Sequence, residues 1–117
     1  MRRISFGLTI QQYRNGTKNV TRRLGWAGQQ AGDRLLAVDK VMGFRKGQHA
    51  TVLGELQVVS VRRERLDAID QDDVRREGFP HLDPAGFVAM FCKAMGCSPD
   101  TLVTRIEFQQ LPPPATA

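Results

Sequence analysis

Cysteine and histidine are scarce in this chain of 117 residues: Cys92 and Cys97 do not form a Cys-x-x-Cys pair, and His49 and His81 lie far from both in sequence. A zinc site gathers such ligands at short spacings, so no metal site and no cofactor are expected. A disulfide between them needs a helix to end in the interval, and the expected state in cytoplasm is two reduced, partly buried thiols. No run approaches the roughly eighteen continuous apolar residues of a membrane helix. Met1-Arg2-Arg3 leads into a strand-like segment rather than an apolar leader, so the expectation is a cytoplasmic protein with no membrane partner. The chain also has a single Trp and a single Tyr. Tyr13, Trp26 and Phe79 are the aromatic residues nearest its polar motifs, and Trp26 is the first candidate for stacking on a base.

Acidic residues are few in the first part of the chain. Residues 1–65 carry thirteen Lys/Arg against four Asp/Glu, whereas residues 66–117 carry four against eight. Such asymmetry attracts a polyanion to one face and leaves carboxylates available near it. The length suits one domain with one hydrophobic core.

Arg3 to Leu8 alternates apolar and polar residues and predicts a strand with Ile4, Phe6 and Leu8 turned inward. A short helix from Thr9 through Tyr13 should follow, stopped by Gly16. Thr17 to Arg23 then predicts an extended segment in which Thr21 and Arg23 share a face. Gly32-Asp33 marks a turn before a strand over Arg34 to Val41, and Gly43 and Gly47 bracket a basic loop. Thr51 to Arg63 is rich in Val and Leu at both odd and even positions, as in a bent barrel strand, with Gly54 marking a bulge or a close backbone approach.

Asp70 to Gly78 predicts a short helix with acids at its start. Glu77 falls on its last turn, a poor place for an acid, so it is either paired with a cation or retained for a task. Asp83 as cap and Pro84 at N1 open a helix with Phe87, Val88, Phe91 and Met95 at helical spacing, ended by Gly96. Leu102 to Phe108 predicts a last strand with Leu102, Thr104, Ile106 and Phe108 on one face and Arg105 and Glu107 on the other. A proline-rich tail is expected over 112–117, after a single domain over 1–111. Curved strands with short helices between them predict a small mixed α+β barrel rather than a doubly wound sheet.

The densest polar motif is Gly16-Thr17-Lys18-Asn19-Val20-Thr21-Arg22-Arg23. Its amine, hydroxyls and guanidinium groups suit an anionic or polar planar ligand such as a nucleotide. With its Gly-x-Lys-x-x-x-x-Arg pattern, the Gly32-Asp33 pair and the closing Arg105-Ile106-Glu107-Phe108, the chain resembles the ASCH domain family of the PUA-like superfamily. Val61-Arg62-Arg63-Glu64, Glu77-Gly78-Phe79-Pro80 and Phe91-Cys92 resemble a phage or prophage subset more closely still.

The resemblance implies a PUA-like β-barrel around a cleft that handles RNA or modified nucleosides. One branch of the family is an amidohydrolase acting on N4-acetylcytidine through a lysine, a threonine three residues later and a downstream glutamate, matched here by Lys18, Thr21 and Glu77. Other branches bind or cleave RNA, so a non-catalytic RNA-binding module and a ribonuclease are the alternatives. In the hydrolase reading Thr21 attacks or holds a water, Lys18 is the base, and Glu77 orients Lys18 or shuttles the proton. Arg22, Arg23, Trp26, Lys40, Arg45 and Lys46 are the candidate residues for binding nucleic acid or substrate. The expected partner is RNA or a modified nucleoside, with the protein a monomer or a weak dimer that would use the apolar side of the Phe87 helix.

Overall fold

The computed structural model describes residues 1–113. In chain order its elements are β1 (Arg3–Ser5), α1 (Ile10–Arg14), β2 (Val20–Arg23), β3 (Arg34–Val38), β4 (Val52–Arg65), a 3-10 turn at Leu66–Ala68, α2 (Gln71–Arg76), α3 (Pro84–Met95) and β5 (Leu102–Gln110). The five strands form one mixed sheet in the order β1-β3-β4-β5-β2, with β1 parallel to β3 and the remaining pairs antiparallel. This is the α+β architecture anticipated from the curved strands and short helices. Residues 114–117 of the expected proline-rich tail lie outside the described residues.

Strand β4 bends the sheet. Its register shifts twice, once against β3 between Ala37 and Val38 and once against β5 between Val58 and Ser60. Each bulge adds a residue to β4 and increases the local twist. The second one explains the mixed odd and even apolar pattern, since Val58 pairs with Phe108 before it and Val61 pairs with Ile106 after it. Gly54 provides a close approach: a Cβ there would lie 3.2 Å from the Tyr13 hydroxyl. The edge strands β1 and β2 are brought together, with Arg23 Nη2 donating to the Ser5 carbonyl at 2.6 Å.

The two faces of the curled sheet have separate cores. Inside it, Ile4, Phe6, Tyr13, Leu35, Ala37, Leu56, Val58, Ile106 and Phe108 pack together, with Phe6 and Tyr13 stacked at 4.9 Å. On the outer face, α2 and α3 pack Val74, Phe87, Val88 and Phe91 against Leu66, Ile69 and Val103. Helix α3 begins as anticipated: Asp83 accepts from the Gly86 N–H at 2.7 Å, Pro84 occupies the first turn, and Gly96 closes the helix in the left-handed region.

Two expectations are corrected. Leu8 is not in the core but 75 % exposed, because β1 ends at Ser5 and Gly7-Leu8 form a turn. Met95, spaced as a core residue, is exposed at the end of α3. The face of β5 that carries Arg105 is covered by α2, so both faces of the strand are buried between Val103 and Ile106. Cys92 and Cys97 are free thiols, each half-buried, in agreement with the sequence.

Candidate functional site

The motif around Lys18 is fixed from both sides. The Lys18 N–H donates to the Gln12 carbonyl of α1 at 3.0 Å, and the Asn19 N–H donates to the Arg76 carbonyl of α2 at 2.9 Å. The chain then enters β2, where Thr21 and Arg23 pair with Ile106 and Thr104 on the inner face, and Val20 and Arg22 pair with Glu107 and Arg105 on the outer one. Thr21 and Arg23 share a face as anticipated, and Arg23 Nε donates to Thr21 Oγ1 at 3.1 Å.

Glu77 caps the C-terminus of α2. The electrostatic penalty of that position is offset by cations from the strand motif. Lys18 Nζ donates to Glu77 Oε1 at 2.6 Å and to the Glu77 carbonyl at 2.9 Å, and Arg22 Nη1 lies 3.4 Å from Oε2. Lys18, Thr21 and Glu77 are all at least 97 % buried, their relative exposures being 3 %, 2 % and 3 %. Burial lowers the Lys18 amine below its ordinary value; the Glu77 charge opposes this and Arg23 and Arg22 reinforce it. Burial also lowers Arg23, to about 10, against the pull of Glu77.

A cavity of about 760 Å³ opens beside this group. Lys18, Thr21, Arg22, Arg23 and Glu77 line its polar end, with Asp39 and Lys40 from the end of β3. Phe6, Phe79, Phe87 and Phe91 line it as well, with Leu8, Met90, Met95 and the exposed cation Lys93 of α3. A concave, mostly apolar site with a few convergent polar groups is typical of small-molecule binding. Two of the three Lys18 donors are used within the protein. The Thr21 hydroxyl accepts from Arg23, and its own proton has no acceptor among the described residues. The arrangement therefore offers an amine of depressed basicity, a buried hydroxyl and a guanidinium donor within one pocket.

The predicted binding residues divide. Arg23 and Lys40 line the cavity; Trp26, Arg45 and Lys46 do not. Trp26 sits in a turn with φ 57, and the Arg2 guanidinium covers its ring 3.4 Å from the centroid. Arg45 and Lys46 are exposed on the loop between β3 and β4. Arg22 touches the cavity wall, but its guanidinium is fully buried among Asp73 at 2.6 Å, Glu64 at 3.0 Å and Glu77 at 3.4 Å.

Sequence reasoning missed Asp73 and Glu64, which hold Arg22 and through it Glu77, and Arg105, which holds Asp73. Asp73 lies in the first turn of α2, where acids are ordinarily solvated, so nothing in its spacing separates it from Asp72. Burial would raise the Asp73 carboxyl, but hydrogen bonds from Arg105 and Arg22 outweigh it and hold the group well below the usual carboxylate range. Phe79 was visible as an aromatic two residues after Glu77, but only the fold shows that it, rather than Trp26, lines the cavity.

No family model matches the sequence, and no curated protein matches it. Solved structures do. A protein from Enterococcus faecalis V583 described by the family model DUF984 superposes with a TM-score of 0.63 at 15 % identity, over 89 % of this chain and 70 % of that one. An ASCH domain from Lactobacillus crispatus JV V101 superposes with a TM-score of 0.59, also at 15 % identity, over 93 % of this chain and 78 % of that one. With its curled mixed sheet and the helices packed on it, this chain has the fold of an ASCH domain.

Proposed function

We propose that the cavity binds a modified nucleoside and hydrolyses an N-acyl amide on its base, of the N4-acylcytidine type. The observation that carries this reading is the buried Lys18–Glu77 contact at 2.6 Å beside Thr21. A lysine pressed against a carboxylate in a desolvated pocket is a base whose proton has somewhere to go. Lys18 in its neutral form takes the Thr21 proton as Oγ1 attacks the amide carbonyl. Arg23 Nε, already on Oγ1, stabilises the negative charge that develops beside it. Collapse of the tetrahedral intermediate breaks the carbonyl–nitrogen bond, and Lys18 delivers the proton to the departing amine. Water then attacks the acyl-threonine with Lys18 again as base, releasing the carboxylic acid and restoring Thr21. Glu77 holds Lys18 in place and shares its proton. Phe79 gives the base an aromatic face within the same cavity.

The test is incubation with N4-acetylcytidine, followed by release of cytidine. Turnover that disappears in Lys18→Arg supports the reading, whereas turnover equal in wild type and variant, or absent from both, overturns it. An RNA-binding role has its own support in the exposed cations outside the cavity, among them Arg45 and Lys46. Retention of a labelled RNA that weakens with rising salt, without cleavage or deacylation, would favour it.

A further inference from the structure

The charges that line the cavity do not balance. Five Lys/Arg side chains and two carboxylates share its wall. Lys18 is paired with Glu77, and Arg22 with Asp73 and Glu64. Asp39, the second carboxylate, is turned onto the loop backbone, where Oδ1 accepts from the Lys40 and Thr51 N–H groups, each at 2.8 Å. Arg23, Lys40 and Lys93 are left without an ion-pair partner among the described residues. Arg23 Nε and Nη2 donate to neutral oxygens, Thr21 Oγ1 and the Ser5 carbonyl, and Nη1 has no partner among the described residues. Lys40 Nζ lies 3.4 Å from the Gly43 carbonyl and 5.1 Å from the Phe44 ring centroid, contacts that leave its charge in place. Lys93 is exposed on α3 and makes no side-chain hydrogen bond among the described residues.

These three cations come from β2, the residue pair after β3, and α3, so the excess of positive charge belongs to the cavity as a whole. A cleft lined by one sign of charge between low-dielectric walls concentrates ligands of the opposite sign. An uncharged nucleoside leaves the excess unanswered. A phosphate monoester carries about 1.5 to 2 negative charges at pH 7, which matches Arg23, Lys40 and Lys93 set against Asp39. The volume of about 760 Å³ is that of a site enclosing one small ligand rather than a length of polymer. We infer that the cavity takes a phosphorylated ligand, an acylated cytidine mononucleotide in preference to the free nucleoside, with Lys40 and Lys93 as the cations that meet the phosphate. This rests on the amidohydrolase reading and names the substrate class of that same site. Lysine ammonium groups act on a phosphate as mobile point charges, so two flexible side chains on different elements can serve without a fixed fork geometry. Arg23 keeps its place on Thr21 and adds its charge to the field of the cavity. The phosphate ester is not broken: one water still divides the amide into the free base amine and the carboxylic acid.

The experiment compares N4-acetylcytidine with N4-acetylcytidine 5′-monophosphate on the whole chain, by calorimetric binding and by release of the deacetylated product. Two exposed ion pairs together are worth about tenfold in affinity at low salt, and screening should erode that preference as ionic strength rises. A nucleotide-to-nucleoside ratio of about ten, shrinking with salt and falling toward one in Lys40→Gln/Lys93→Gln, supports the inference. Neither side chain belongs to a core cluster, so the variant should fold, which circular dichroism checks. Equal or weaker binding of the nucleotide by wild type, or a preference that the double variant does not move, overturns the phosphate contact; deacetylation of the nucleoside would then leave the hydrolase reading standing. Retention of RNA containing N4-acetylcytidine, with the mononucleotide bound no better than the nucleoside, also overturns it, in favour of contacts outside the cavity. Tighter binding of the nucleotide without deacetylation of either compound supports the phosphate contact and overturns hydrolysis. Failure to bind or deacetylate either compound overturns both.

Discussion

Arg105 grips Asp73 with two parallel hydrogen bonds, Nε to Oδ2 at 2.6 Å and Nη2 to Oδ1 at 3.0 Å. The same Oδ2 accepts from Arg22 Nη2 at 2.6 Å. One carboxylate on α2 therefore holds two buried guanidinium groups from adjacent strands, and Arg22 extends the link to Glu77. A buried cluster of this kind is weak evidence for net stability, but removing one member leaves the others uncompensated.

Asp73→Asn should accordingly destabilise the fold by about 3–5 kcal/mol, measured by urea unfolding. The carboxyl is depressed in the folded state, so its contribution is fully present above the unfolded value of 3.8 and is lost as pH falls from there through the folded value. Wild type should therefore lose stability on acidification over that range more steeply than Asp73→Asn. Parallel acid limbs would show that Asp73 does not carry the linkage.

The pH dependence of deacylation should report Lys18. Its amine is lowered from 10.5 by burial, and the neutral form is the active one, so the rate should rise with pH and level off at a value below that of a free lysine. Lys18→Arg keeps the charge but cannot deprotonate, and should lose about 10²–10⁴ in kcat together with the rising limb. An unchanged pH profile would remove Lys18 from the role of base.

Gly78 follows Glu77 with φ 102, and a Cβ there would fall 2.8 Å from both Cβ and Cγ of Gln12. Gly78→Ala should cost about 1–3 kcal/mol through strain and contact. It should also weaken substrate turnover, since the turn that aims Glu77 must move. Thermal melting and kinetics on the same preparation check both effects, and a variant indistinguishable from wild type would contradict the geometry of this turn.

Ligand binding in the cavity should leave Trp26 fluorescence nearly unchanged, because that ring is covered by Arg2 and does not line the cavity. Phe79→Ala should instead weaken binding of an acylated cytidine by about 1–3 kcal/mol, the usual range for base–aromatic stacking. A large tryptophan response with an unaffected Phe79→Ala would restore Trp26 as the stacking residue.

Local chemistry made much of this legible from the sequence. The Asp83-Pro84 start and Gly96 stop of α3 are capping signals that need no tertiary information. The close approach at Gly54 and the sharing of one face by Thr21 and Arg23 follow from strand geometry. The unfavourable place of Glu77 at a helix end already asked for a cation, and Lys18 and Arg22 supply it.

What the sequence by itself determined was the type and order of the elements and the local logic of the Lys18 motif, because caps, turns and alternation act over a few residues. Only the tertiary structure decided which charges are buried and which apolar groups face the cavity. Asp73 and Arg105 are 32 residues apart, and Lys18 and Glu77 are 59 apart. Their pairing depends on α2 lying across β2 and β5, which no local pattern encodes. The same long-range packing made Arg22 a buried strut, turned Trp26 away from the cavity, and gave that cavity the wall formed by Leu8, Met90 and Met95.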